Sequence, residues 1–542
     1  MELSPKKKIA GVLAPLFALR REDDLGIGDL QSLREFIDWT SDIGFRLVQL
    51  LPINETGGDN SPYNAISSRA LDPTTLYLAP GSPNELTRED FDATMADVDL
   101  TKLRHGSVKY PQVKKLKRAL LERAFANFSA QDRQSHFAKF CEAEAEWLND
   151  YTRFRALMEA NNSEAWDKWK IREVAQDRQL LQRRNFFAYV QWIAHEQWRD
   201  LRRYANERGV ALMGDIPFGV SLYSADVFSR PNEFRIDWCG GAPPEPYFKD
   251  DDFTIKWGQN WGIPLYDWET MRANELAWWR QRVRGVREIF DVFRIDHVLG
   301  FYRIYAFPWR PTRNKQFLPL THEQMLEKTG GLAPHFSPRD DSNHENCEAN
   351  RREGEEYLRV VLEESRHTRV AGEDLGTVPD YVRPSLRSLG IAGFKIPQWE
   401  DRHGHLPRGE EYDRLSVATY ATHDHNPVRE LWEEASTSEQ ARHDLNKMAQ
   451  FAGFETHGQP IDYEKDFYPA IMRALFESNS WIAVVMLTDL LARKYRFNVP
   501  GTAGAGNWTR RMQRTIAQLR ASKTEQRRMR VVRELLEKSG RV

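Results

Sequence analysis

Eight short apolar, β-branched runs separated by helical stretches constrain this chain more than any other feature. They span residues 9–13, 45–51, 210–216, 289–296, 370–373, 391–396, 415–421 and 481–487. Strands that are apolar along their whole length are buried on both faces, and alternation with helices makes their sheet parallel. Eight such units predict an α/β fold, a closed (β/α)8 TIM barrel. The first unit is the clearest. Asp29 is a good helix N-cap, Leu33, Phe36, Ile37 and Thr40 recur at helical spacing, and Gly44 ends the helix before the second run.

The spacing of the runs is uneven. Residues 53–209 read as an inserted, mainly helical subdomain between the second and third strands. There Val113, Leu116, Leu120, Ala124 and Phe128 share one face, as do Trp147, Tyr151, Phe154 and Met158. A second insertion, 297–368, separates the fourth and fifth strands, and its segment 337–353 reads as polar and turn-rich. Met512, Ile516 and Leu519, then Met529, Val532, Leu535 and Leu536, mark amphipathic helices after the last strand. The expected organisation is one catalytic barrel over 1–542 carrying these insertions.

The ends of the runs carry charge. Val292-Phe293-Arg294-Ile295-Asp296-His297 reads as a buried strand with a charged tip, Phe293 and Ile295 on one face and Arg294 and Asp296 on the other. Buried ionisable groups persist only when paired with each other or with a ligand. A structural Arg–Asp ion pair would explain this stretch alone. Two more runs, however, deliver a carboxylate at their ends: Gly372-Glu373-Asp374-Leu375-Gly376, and His423-Asp424. Asp215 ends the third run. In such barrels the reacting groups sit at the C-terminal ends of the strands. Acids converging on one rim repel, so at least one is protonated or paired. Arg294 would hold Asp296 ionised and leave Glu373 with a raised pKa, able to protonate a leaving oxygen. A nucleophile, an acid/base and a stabiliser are what glycosyl transfer requires.

Composition excludes other classes. The formal net charge is −2, from 77 basic and 79 acidic residues, and supplies no global field for nucleic acid or an anionic membrane. Cys141, Cys239 and Cys347 are far apart with no CxxC pair, which argues for a reducing, cytoplasmic setting. Lys6-Lys7-Lys8 precedes an apolar run, but Pro15 interrupts it and Arg20-Arg21 closes it, so a buried first strand is expected rather than a signal peptide. His423-x-His425 has the spacing of a metal pair, yet no second histidine pair accompanies it. Gly26-x-Gly28 lacks the third glycine of a dinucleotide fingerprint. No metal and no cofactor are expected.

Further motifs carry a family resemblance. Gly26-Ile27-Gly28-Asp29-Leu30, Ser61-Pro62-Tyr63, Gly214-Asp215-Ile216-Pro217 and Gly241-Ala242-Pro243-Pro244 occur in that order. Gln259-Asn260-Trp261-Gly262-Ile263-Pro264-Leu265-Tyr266, the three acid-bearing blocks, Asn498-Val499-Pro500-Gly501-Thr502 and Asn507-Trp508 follow. Together they resemble the 4-α-glucanotransferases, also called amylomaltases or disproportionating enzymes, of the α-amylase clan, over nearly the whole chain. The resemblance implies that Asp296 is the nucleophile, Glu373 the general acid then base, and Asp424 the group that holds the donor sugar's 2- and 3-hydroxyls. It implies that Arg294 orients Asp296, and that Asp215, His297 and His423 bind the donor glucose. Tyr63 would stack on a sugar and Trp261 would line the cleft, with Ser61, Gln259 and Asn498 as further substrate contacts. A loop at 247–257, bearing Phe248, Phe253 and Trp257, would close and exclude water.

The partners so implied are α-1,4-glucans, as donor and acceptor, acting on a monomer or small homo-oligomer. Two departures from the family pattern border the cleft: His425-Asn426-Pro427 after Asp424, and Glu245-Pro246 in the loop. The competing readings are an α-1,4-glucan hydrolase of the same clan, a metal-dependent barrel hydrolase and a catalytically silent glucan-binding protein.

Overall fold

The computed structural model describes residues 3–128, 134–173, 177–245, 251–401, 404–454, 461–500 and 506–542. Eight strands close a parallel barrel in the order β1-β12-β11-β10-β9-β6-β3-β2. Their ranges are β1 Ile9–Leu13, β2 Leu47–Gln49, β3 Ala211–Ile216, β6 Val292–Ile295, β9 Arg369–Gly372, β10 Ala392–Lys395, β11 Ser416–Ala418 and β12 Ile482–Met486. Every one lies within or overlaps an apolar run read from the sequence. Strand neighbours in space are neighbours in chain order among these eight, and β1 pairs with both β2 and β12. The strands are short, and their continuous apolarity reflects burial on both sides: all five residues of β1 and of β12 are buried.

Local chemistry sets the connections. The Asp29 side chain accepts from the Ser32 amide at the start of helix Leu30–Ile43, and Gly44 ends it at φ 113°, the left-handed region that suits glycine. At Gly214 in β3 a Cβ would lie 2.3 Å from the Phe290 ring, so the aromatic packs where any side chain would stand.

Between β2 and β3 lie helices that include Tyr110–Phe128, Ala145–Ala160 and Arg178–Glu207. Val113, Leu116, Leu120, Ala124 and Phe128 are all buried. Segment 337–353 departs from the sequence reading, because a helix, His344–Ser365, starts within it, capped by the Asn343 side chain. Few of its residues are buried, so its apolar stripe is too thin to announce a helix.

A second sheet was not expected. β4 Phe234–Ala242, β5 Gln259–Tyr266, β7 Ile304–Phe307 and β8 His335–Ser337 form an antiparallel sheet in the order β5-β4-β7-β8. Its register shifts twice between β4 and β5. A Cβ at Gly241 would sit 1.9 Å from the Gln259 carbonyl oxygen, so the strands approach too closely for a side chain.

The barrel seam is fastened from far along the chain. Arg541 is fully buried, and its guanidinium donates to the carbonyls of Ile9 (2.8 Å), Phe476 (2.5 Å), Ser478 (2.8 Å), Ser480 (2.8 Å) and Trp481 (3.2 Å). Those groups lie at the entry ends of β1 and β12. Among the described residues no helix is long and apolar enough to cross a membrane.

Candidate active site

Strand register builds the first half of the site. Asp215 pairs with Arg294 across β3 and β6, and Ile295 pairs with Gly372 across β6 and β9. One residue further on, Asp296 and Glu373 stand side by side at the ends of adjacent strands, which run about 4.8 Å apart. The ladder continues past the strands, Asp296 N–H donating to Ile216 O and Glu373 N–H to Ile295 O, both at 2.9 Å. Both acids therefore sit on backbone held as firmly as a strand interior.

Arg294 is buried between two carboxylates. One nitrogen lies 2.6 Å from Asp215 Oδ2 and the other 2.7 Å from Asp296 Oδ1. Truncating one partner of such a buried pair is strongly destabilising, because the other is left charged and dry. His297 follows at φ 47°, a conformation unusual for a side-chain-bearing residue. In that conformation its backbone N–H donates to Glu373 Oε2 at 2.8 Å. Burial pushes the Glu373 carboxyl up to about 7; Arg294 pulls against that shift and the charge on Asp296 adds to it. Burial likewise lowers the His297 imidazole to about 4, so the ring is neutral near pH 7.

Asp424 is held differently. It lies in a turn beyond β11, where His423 Nε2 approaches it at 3.2 Å and the Asn498 amide donates to it at 2.6 Å. Burial opposes its charge, but His423 and Asn498 outweigh burial and hold the carboxyl well below the usual carboxylate range. The His423 imidazole is raised, burial being overcome by Asp424. Tyr63 lies flat against His423, ring centroids 5.0 Å apart, and its hydroxyl donates to Asp215 Oδ2 at 2.6 Å.

These groups surround a cavity of about 1780 Å³. Ser61, Tyr63, Gln259, Trp261, Arg294, Asp296, His297, Glu373, His423, Asp424 and Asn498 all line it. Asp215 does not. Its side chain is 1% exposed and stands behind Tyr63 and Arg294, with Oδ1 buried and unpartnered among the described residues. The Trp261 ring meets His297 edge-on at 4.7 Å, and its indole N–H donates to Gln259 Oε1 at 3.2 Å.

Two residues escaped the sequence reading. Arg496 donates to Asp424 O (2.5 Å), Asn426 Oδ1 (2.5 Å) and Asn498 O (3.1 Å), and so clamps the turn that presents Asp424. Trp399 lines the cavity beside His425. No signal in the sequence separates either from other arginines and tryptophans.

The water-excluding loop is corrected in part. Phe253 packs on Phe307, and Trp257 is buried against Trp309, in a small core of their own; neither lines the cavity. Pro246, Tyr247, Phe248, Gly501 and Thr502 lie outside the described residues, whereas Glu245 lines the cavity. The imidazoles of the HxH pair have separate partners, since His425 Nδ1 accepts from the Thr422 amide at 2.9 Å while His423 faces Asp424. Among the described residues no group of three or more His, Cys, Asp or Glu could hold a metal ion.

Known proteins resemble the chain along its length. A family model described as 4-alpha-glucanotransferase matches residues 14–517. A 4-alpha-glucanotransferase of Chlamydia caviae is 30% identical over 94% of this chain and 91% of that protein. One of Aquifex aeolicus is 29% identical over 94% of this chain and 96% of that protein. In fold, the amylomaltase of Corynebacterium glutamicum superposes with a TM-score of 0.78 at 20% identity, over 97% of this chain and 75% of that one. The amylomaltase of Streptococcus agalactiae, solved with acarbose, gives 0.74 at 22% identity, over 99% and 100%. With the matched model spanning the barrel from the end of β1 onward and the whole acid-bearing rim, the chain belongs to the 4-alpha-glucanotransferase family.

Proposed function

We propose that this enzyme transfers segments of α-1,4-glucans by a retaining double displacement centred on Asp296 and Glu373. Protonated Glu373 gives its proton to the glycosidic oxygen as the Asp296 carboxylate attacks the anomeric carbon. The shorter glucan leaves, and a β-glycosyl ester on Asp296 remains. Glu373, now a carboxylate, takes the proton of an acceptor 4-hydroxyl, which attacks the same carbon and frees Asp296. Asp424 holds the donor's hydroxyls, with Asn498 and His423 fixing its carboxylate. Tyr63, Ser61, Gln259, Trp261 and His297 contact the sugars, and Asp215 supports Tyr63 and Arg294 from behind.

The observation that carries this reading is the unequal pair at the strand ends: Asp296 in an ion pair with Arg294, and Glu373 beside it pushed up to about 7. An ion-paired carboxylate thus stands next to a carboxyl that keeps its proton near neutrality. The cavity exceeds the usual few-hundred to 1,000 Å³ of a small-molecule site, as an oligosaccharide requires. The insertions at 53–209 and 297–368 serve this rim as one catalytic unit. Three free cysteines suit a cytoplasmic enzyme, acting as a monomer or small homo-oligomer. Incubation with maltotriose tests the reading. A ladder of longer maltodextrins with glucose is expected; mostly glucose and maltose would mean hydrolysis instead.

A further inference from the structure

Asp374 follows the acid/base directly, and the two side chains leave the strand end on opposite sides. Glu373 lines the cavity; Asp374 does not, and it is 2% exposed. On the β6 side the Glu373 backbone is tied by its own N–H, which donates to Ile295 O at 2.9 Å. On the other side the pairing of β9 with β10 ends where Gly372 stands opposite Gly393. The next β10 amide, Phe394 N–H, donates to Asp374 Oδ1 at 2.6 Å. A side chain thus continues the tie between the two strands beyond their last paired residues. Gly393 makes room for it, since a Cβ there would lie 3.1 Å from each carboxylate oxygen.

Arg383 completes the anchor. From helix Val382–Leu389 its Nε donates to Asp374 Oδ2 at 3.0 Å, and its Nη2 to the Asp374 carbonyl at 3.4 Å. Both carboxylate oxygens therefore accept, one of them from a cation, as those of an ionised group do. Burial raises the Asp374 carboxyl, and the Phe394 amide, Arg383 and Lys395 of β10 pull it back. The neutral Tyr302 phenol faces it as well. Glu373 in turn is faced by Arg294, Asp296 and the His297 amide across the strand ends, and by Asp374 from its own; the Asp374 charge adds to the upward push of burial.

We propose that Asp374 is a positioning residue for the transfer chemistry: with Arg383 it ties the Glu373 backbone to β10 and sets a negative charge behind the Glu373 carboxyl. The anchor keeps the acid within reach of the glycosidic oxygen. The charge keeps that acid protonated to a higher pH than the same site would without it. This rests on the glucan-transfer reading above.

The test is the pH profile of transfer from maltotriose in the parent and two variants, which are expected to fail in complementary ways. Asp374→Asn keeps an oxygen for the Phe394 amide and removes the charge. Its alkaline limb is expected roughly half a unit to one unit below the parent's limb at about 7, with a low-pH plateau close to the parent's. Asp374→Glu keeps the charge but has no room beside Gly393. Its limb is expected at the parent's position, with a plateau roughly ten- to a hundredfold lower. The Arg383 side chain is 36% exposed, so Asp374→Asn leaves it no dry charge and should fold. A limb of Asp374→Asn that coincides with the parent's would overturn the proposal, and so would a plateau of Asp374→Glu equal to the parent's. A uniform fall in rate with both limbs unmoved would show a purely structural role and overturn it too. If the parent has no alkaline limb near 7, the acid/base assignment itself fails, and if it builds no longer glucans from maltotriose, the transfer reading fails, whatever the variants do.

Discussion

The Asp296 corner and the Asp424 corner face one cavity and are built by different means. Asp296 inherits its position from backbone: a strand-end hydrogen bond to Ile216, a neighbouring strand that carries Glu373, and an arginine two residues before it. Asp424 lies beyond β11 and is held by side chains, with Arg496 gripping the turn and Asn498 its carboxylate. The two corners also move their carboxyls in opposite directions, Glu373 upward by burial and Asp424 downward, against burial, by His423 and Asn498. The bond-making groups thus sit on the least adjustable part of the fold. The group that shapes the donor sugar sits on a clamp that can be altered without touching the ladder.

Substitutions test that division. Asp296→Ala should remove transfer and any hydrolysis, by at least about 10⁴-fold, in a protein that still folds, because Asp215 stays on Arg294, but that melts below the parent. Measurable turnover would break the assignment of the rigid corner. Glu373→Gln should lose roughly 10²- to 10⁴-fold. The parent's rate should fall as pH rises through about 7, because Glu373 must begin each cycle protonated and loses its proton there. That alkaline limb should vanish in Glu373→Gln, and a parent limb near pH 4.5 would contradict the burial argument. Arg496→Ala should cost up to about 10²-fold in kcat by letting Asp424 drift, and Arg496→Lys should restore little, since one ammonium cannot serve three acceptors. A loss as large as that of Asp296→Ala would erase the distinction between the corners. The smallest effect is expected of His425→Asn, a few-fold change confined to chain-length preference, read from the product ladder.

The barrel was legible because its strands are apolar throughout, and so was the rim, because charges stand out at the ends of such runs. The antiparallel sheet was not. Gly240, Gly241, Gly262 and Pro264 lie inside its strands, and glycine or proline within a run reads as a loop. Arg496 was invisible for another reason: its partner Asn426 lies 70 residues away, and no periodicity links a clamp to its target. Trp399 was one of 17 tryptophans, and only exposure distinguishes it. Phe253 and Trp257 misled in the opposite sense, since aromatics in a loop suggested a lid where they form a packed knot.

Arg541 bonds to Ile9 across 532 positions. A nascent chain makes β1 early and carries it, unfastened, until β12 and Arg541 have been made. In that interval β2 can cover one edge of the strand, but the edge that receives β12 stays open to a neighbouring polypeptide, and a ring joined over so long a span closes slowly. The hazard for this enzyme therefore falls during its own synthesis, long before any sugar reaches the rim.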